Sequence, residues 1–215
     1  GFIGAIQSHV TISRCWADVD VTSSGQRCGA FAGCNTKFLA TISDCYATGD
    51  ITATGQQVGG IIGYASKPVT ITNCYAAGNV TSATAGTGGI AGTISAESTV
   101  SNCIAWNATI DCQRAANDKW APGAVVGAAS VAGNYSGCYR RADMNFIDAA
   151  GAMVLVDQED VANGFPASPS YSEETTQAAY HGKAAAADAT ASSVAKSIGW
   201  DESIWDLSGD LPKLK

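Results

Sequence analysis

The sequence predicts an all-β fold, a parallel right-handed β-helix (β-solenoid) of about five coils with a small α-helical and irregular C-terminal cap. Three observations predict it. One phrase recurs, as "VTISRCWADVDV" (10–21), "ATISDCYATGDI" (40–51), "VTITNCYAAGNV" (69–80) and, worn, "TVSNCIAWNAT" (99–109). Its cysteine falls at 15, 45, 74, 103 and 138, in steps of 30, 29, 29 and 35. The glycine closing a second phrase falls at Gly4, Gly33, Gly63, Gly92 and Gly127, in steps of 29, 30, 29 and 35. Two markers therefore share one period and the same final expansion.

A period of about 20 to 50 residues belongs to solenoids, propellers and other arrays. No helical apolar pattern occurs within a repeat, and Thr, Val and Ile are frequent, so the repeat is built of strands. A propeller blade needs about 40 residues, and a leucine-rich repeat shows a leucine ladder; neither fits. At roughly 3.3 Å per residue, with corners, one period makes one turn of a solenoid. Three short strands are expected per coil: the glycine phrase ("GAFAG" 29–33, "GGIIG" 59–63, "GGIAG" 88–92, "GAVVG" 123–127), the "TIxxC" segment and the "xVT" segment.

Side-chain parity places a corner inside the phrase. Cys74, Ala76 and Val80 can face inward together, but Ile71 lies three residues before Cys74. An unbroken strand cannot point both inward. A bend at Thr72-Asn73 reconciles them, because Asn tolerates left-handed backbone. Asp44 and Asn102 hold the equivalent place, with Arg14 and Gly137 there in the first and fifth repeats. The cysteines then form an interior ladder of free thiols, since coils stack about 4.8 Å apart and parallel side chains lack the torsion of a disulfide. Cys28, Cys34 and Cys112 lie off the ladder; Cys28 and Cys34, flanking "GAFAG", are the pair to test for a bridge.

Two further columns follow each ladder cysteine. Five residues on stand Asp20, Asp50, Asn79, Ala108 and Asp143. Carboxylates from adjacent coils can serve as an acid–base pair or hold calcium, which makes Asp20 and Asp50 candidates. The plainer expectation is a turn residue bonded to backbone, given the break at Ala108 and the lack of a companion basic column. Directly after the cysteines come Trp16, Tyr46, Tyr75, Ile104 and Tyr139. Their parity points them outward, either as a strip on which sugars stack or as a face covered by a neighbouring segment. Trp16, Tyr46, Tyr75, Asp20 and Asp50 are thus the candidate ligand-binding residues.

Beyond the repeats, residues 145–189 read as irregular, with "AMVLV" (152–156) as a strand, "FPASPSYSEETT" (165–176) as a loop and Asp157, Glu159 and Asp160 as a solvated acidic turn. "ATASSVAKSIG" (189–199) sets Val194 and Ile198 on one helical face, with Gly199 as its stop. Trp200, Trp205 and Leu207 supply apolar surface to cover unpaired strand edges. The expected division is a solenoid over 1–145 and a capping segment over 146–215 packed on it.

A formal net charge of −7, with Arg140-Arg141 the only adjacent basic pair, argues against nucleic acid as a partner. No apolar run reaches the roughly 20 residues of a membrane span. The chain opens in mid-pattern at Gly1-Phe2-Ile3-Gly4, as expected of part of a longer multidomain protein. HExxH, the GxSxG elbow, the Walker loop and the dinucleotide fingerprint are all missing, and His9 and His181 lie far apart. No catalytic residue, cofactor or metal is expected.

The stretch "GGIIGYASKPVTITNCYAAGNVT" (59–81) resembles the GLUG-type repeats of large bacterial surface proteins. Such repeats occur in adhesin-like proteins and in the non-catalytic part of some immunoglobulin A protease-like chains. The resemblance covers residues 1 to about 145, and "SIGWDESIWDLSGDLPKLK" (197–215) is similar to the segment that often closes such arrays. It implies a solenoid on an exported protein, extracellular or at the bacterial cell surface, and no catalytic residue to carry over. The expected function is a non-enzymatic adhesion or ligand-binding module for a glycan or a host surface protein. The alternatives are an accessory region of an immunoglobulin A protease-like protein and a carbohydrate-active β-helix enzyme.

Overall fold

The structure is a computed structural model that describes residues 1–113, 122–129, 134–148, 151–152 and 180–215. The chain winds as a parallel β-solenoid whose coils stack strand on equivalent strand. The third coil shows the plan: strands Ile62–Ala65, Val69–Thr72, Tyr75–Ala76 and Val80–Ser82. A short pairing of Val58–Gly59 with Thr87–Gly88 turns the chain between coils. There are four faces where three strands were expected, because the corner at Asn73 cuts the "TIxxC" segment in two. The first two faces are five strands deep, and the third and fourth are six. Each coil is one layer, and five layers separated by four repeat steps give a solenoid of about four full turns rather than five.

The corner is left-handed in every coil. Arg14, Asp44, Asn73 and Asn102 have φ of 50 to 51°, and Gly137 has 61°. Asn73 Nδ2 also donates to Asp44 Oδ1 at 3.1 Å, linking corner to corner. A second left-handed column, at Arg27, Gln57 and Gly86 (φ 66, 67 and 68°), was not expected. It turns each coil toward the Val58–Gly59 pairing.

Inside, each coil repeats the same contributions. Ile42, Ile71 and Val100 stack fully buried on the second face, and Ile51, Val80 and Ile110 on the fourth. Each is worth about 1.5–3 kcal/mol of burial. Cys45, Cys74, Cys103 and Cys138 are buried free thiols, with Cys15 of the first coil partly exposed. Each buried thiol lies within bonding distance of two carbonyls, one two residues back and one in the preceding coil. For Cys74 these are Thr72 O at 3.2 Å and Ile42 O at 3.6 Å. Burial pushes the Cys74, Cys103 and Cys138 thiols up, so they stay protonated and unreactive. Cys28 and Cys34 are also free, Cys28 lying in the interior cluster and Cys34 outside it, so that pair is not bridged.

The last layers close the stack. Strand Asn145–Asp148 still belongs to the fourth face and pairs with Thr109–Cys112. Gly151–Ala152 folds back antiparallel on it; the rest of the expected 152–156 strand, the acidic turn at 157–160 and the 165–176 loop lie outside the described residues. Lys183–Ala184 adds a sixth strand to the third face, and Tyr180 bridges to Val126 of the first. Helix α1 (Ala191–Ser197) follows, its Thr190 and Ser193 forming a reciprocal capping box and Gly199 ending it at φ 80°. Among the described residues no helix is long and apolar enough to cross a membrane.

Candidate functional site

The third face carries the aromatic column, and register puts its members on adjacent coils: Trp16 beside Tyr46, Tyr46 beside Tyr75, then Ile104 and Tyr139. The rings stack nearly parallel, at 6.1 Å and 12° for Trp16–Tyr46 and 5.0 Å and 4° for Tyr46–Tyr75. Their fates then diverge. Tyr75 is 1% exposed, while Trp16 is 55% exposed.

The C-terminal segment makes the difference. Trp205 lies 6.0 Å from Tyr46 and 6.2 Å from Tyr75, and Trp200 lies 6.4 Å from Tyr75. The Tyr75 hydroxyl donates to Pro212 O at 2.7 Å, and the Trp200 indole N–H donates to Asn102 O at 3.0 Å. Together with Ile104, Val194 and Ala195 these rings form a second apolar cluster on the outside of the coil wall. Burial pushes the Tyr75 hydroxyl up, with Tyr46 adding to it; Tyr46 is raised less, by burial and by Asp18. The strip therefore runs from open at Trp16, through half-buried Tyr46, to closed at Tyr75.

Asp20 and Asp50 serve the backbone. Asp20 Oδ1 accepts from Asp50 N at 2.8 Å, Asp50 Oδ1 from Asn79 N at 2.7 Å, and Asn79 Oδ1 from Thr109 N at 2.9 Å. Each side chain thus holds the turn of the next coil. The same register corrects the column: Thr109 and Asn145, not Ala108 and Asp143, stand in line with Asn79. The fourth coil has one extra residue between Cys103 and this turn, which a fixed count from the cysteine cannot see. Asp143 instead pairs with Arg141. Among the described residues no group of three or more His, Cys, Asp or Glu could hold a metal ion.

The sequence reads Trp200 and Trp205 as apolar cover for the strand edges of an open end. They lie against the side of the stack instead, a placement set by contacts as distant as 137 residues in sequence.

Comparison with known proteins agrees with this architecture. The GLUG motif family model matches residues 24–52 and 54–81. A crystal structure of a candidate immunoglobulin A1 protease from Bacteroides ovatus superposes with a TM-score of 0.71 at 22% identity, over 95% of this chain. At that identity the likeness is one of fold. This chain spans 57% of the length of that protein. No curated protein matches the sequence significantly. The two matches fall in the second and third coils, so the GLUG motif is shown for those repeats of the solenoid.

Proposed function

We propose that this chain is a non-enzymatic, extracellular module at the bacterial cell surface that binds a glycan or a host surface protein, in the manner of an adhesin. Residues 1–145 form the binding scaffold, and the described part of 146–215 from Tyr180 onward supplies the cover. One observation carries the reading: Trp16 and Tyr46 stack ring on ring along the outer wall of adjacent coils, with Trp16 55% exposed. Aromatic faces that stay open on a rigid surface are recognition elements more than core. The use of Asp20 and Asp50 in backbone hydrogen bonds supports binding over a carbohydrate-active enzyme, which would want converging carboxylates in a cleft.

The second reading, an accessory region of an immunoglobulin A protease-like protein, is favoured by the fold likeness and by the longer chain on the other side of it. The two readings are compatible, since an accessory region can present the ligand. The test is a glycan array on the purified chain, with a reducing-sugar assay on the hits and Trp16→Ala as the control. Binding that is lost in Trp16→Ala without sugar release supports the module. Release of reducing sugar overturns it and returns Asp20 and Asp50 to a catalytic role. Binding of immunoglobulin A with a silent array favours the accessory reading.

A further inference from the structure

Where the third face meets the covering segment, the fourth and fifth coils leave a solvent-facing cavity of about 230 Å³. Its polar and aromatic walls are Trp106, Arg141, Asp143, Thr190 and Asp210, with small alanines between them. Ala105 pairs with Arg140, so the next residues, Trp106 and Arg141, stand one above the other on the outer wall. The backbone there is fixed: Trp106 N donates to Ala76 O at 2.8 Å and Arg141 N to Ala105 O at 3.1 Å.

The guanidinium is fixed as well. Arg141 Nε and Nη2 donate to the two carboxylate oxygens of Asp143 at 2.6 and 2.8 Å. That two-point pair draws the Asp143 carboxyl below its ordinary range. It uses two of the five guanidinium N–H donors and leaves three. Asp210 enters from the opposite side, its main chain anchored by Ser192 N donating to Asp210 O at 3.1 Å. One arginine against two aspartates leaves the cavity with surplus negative charge, which disfavours phosphate or carboxylate ligands. The volume is below the roughly 300–1,000 Å³ of sites for drug-sized molecules, so the occupant is small.

We propose that this cavity binds one neutral pyranose ring. A pyranose presents an apolar C–H face and a rim of hydroxyls that both donate and accept. The Trp106 indole matches the face, the remaining Arg141 N–H groups donate to the rim, and the Asp143 and Asp210 carboxylates accept from it. The inference rests on the glycan-binding reading and gives it a second contact point, on the fourth and fifth coils rather than at Trp16.

The test is a titration of the full chain with the methyl glycosides of glucose, galactose, mannose and N-acetylglucosamine, followed through the Trp106 indole N–H resonance. At least one glycoside is expected to shift that resonance and saturate in the millimolar range. Asp210→Ala should weaken binding at least tenfold, Trp106→Ala, followed through the Arg141 amide resonance instead, should do the same, and Leu39→Ala, at an exposed residue outside both the cavity and the aromatic column, should leave it unchanged. Asp210 is exposed, so its variant keeps the test alive if Trp106→Ala fails to fold. A Trp106 indole that no glycoside moves, or affinity untouched by Asp210→Ala, overturns the proposal. Array binding lost in Trp16→Ala beside a silent cavity would sink the cavity alone and leave the module standing.

Discussion

Arg14 holds the left-handed corner of the first coil at φ 50°, where later coils use Asp44, Asn73 and Asn102. A non-glycine side chain in that region costs roughly 1–2 kcal/mol, and asparagine is among those that visit it most readily. Arg14→Asn is therefore expected to stabilise the chain by about 1 kcal/mol, read as a higher urea midpoint at unchanged slope. It also places an amide beneath Asp44, the neighbour relation already made by Asn73. An unchanged or lower midpoint would mean the corner is not strained. These corners also show what a single residue discloses. Asp44, Asn73 and Asn102 announce the bend by type, whereas Arg27 and Gln57 bend as sharply with no compositional sign. Only their shared spacing with Gly86 could have found that second column.

The coil is an element whose tolerance is set by the coil beside it. Added at Gly78, a Cβ would run into the Gly49 carbonyl, and added at Gly49 it would run into Val19. Those are backbone atoms, which cannot step aside. Gly78→Ala is thus expected to cost at least about 2 kcal/mol, measured by thermal or urea unfolding. Gly4→Ala, where nothing lies within 4 Å, should cost far less, and equal losses would disprove the close-approach account. The periodic glycines were legible at this scale, as was the cysteine ladder, because stacking forces one residue class at one position. The turn column was legible only until the fourth coil took its extra residue. A fixed offset then named Asp143, while the hydrogen-bonded ladder follows Thr109 and Asn145.

Across the whole molecule, stability depends on pH through His181, buried between the fifth coil and the closing layer. Its Nδ1 accepts from Ala124 N at 3.1 Å, and its ring meets Phe146 edge-on at 5.3 Å. Burial, then the Arg140 charge beside it, lowers its pKa to about 3. The unfolded chain, with a histidine near 6.5, binds more protons between those values. Stability is therefore full above about pH 6.5 and falls toward pH 3, by up to about 1.4 kcal/mol per pH unit. His181→Gln keeps an acceptor for Ala124 N and should flatten that slope in urea titrations at pH 7, 5 and 4. An equally steep slope in the variant would locate the dependence elsewhere. The overall solenoid was readable from period alone, but the choice between an open and a covered aromatic column was not, since parity says only that a ring points out. That covering has a mechanical meaning. A bare stack of coils contacts only its neighbours and peels one layer at a time. Here Trp205 spans the Tyr46 and Tyr75 layers, Trp200 ties to Asn102, and Lys183–Ala184 is stitched to the fifth. The segment acts as a clasp loaded in shear, so under tension these four coils give way together rather than in succession.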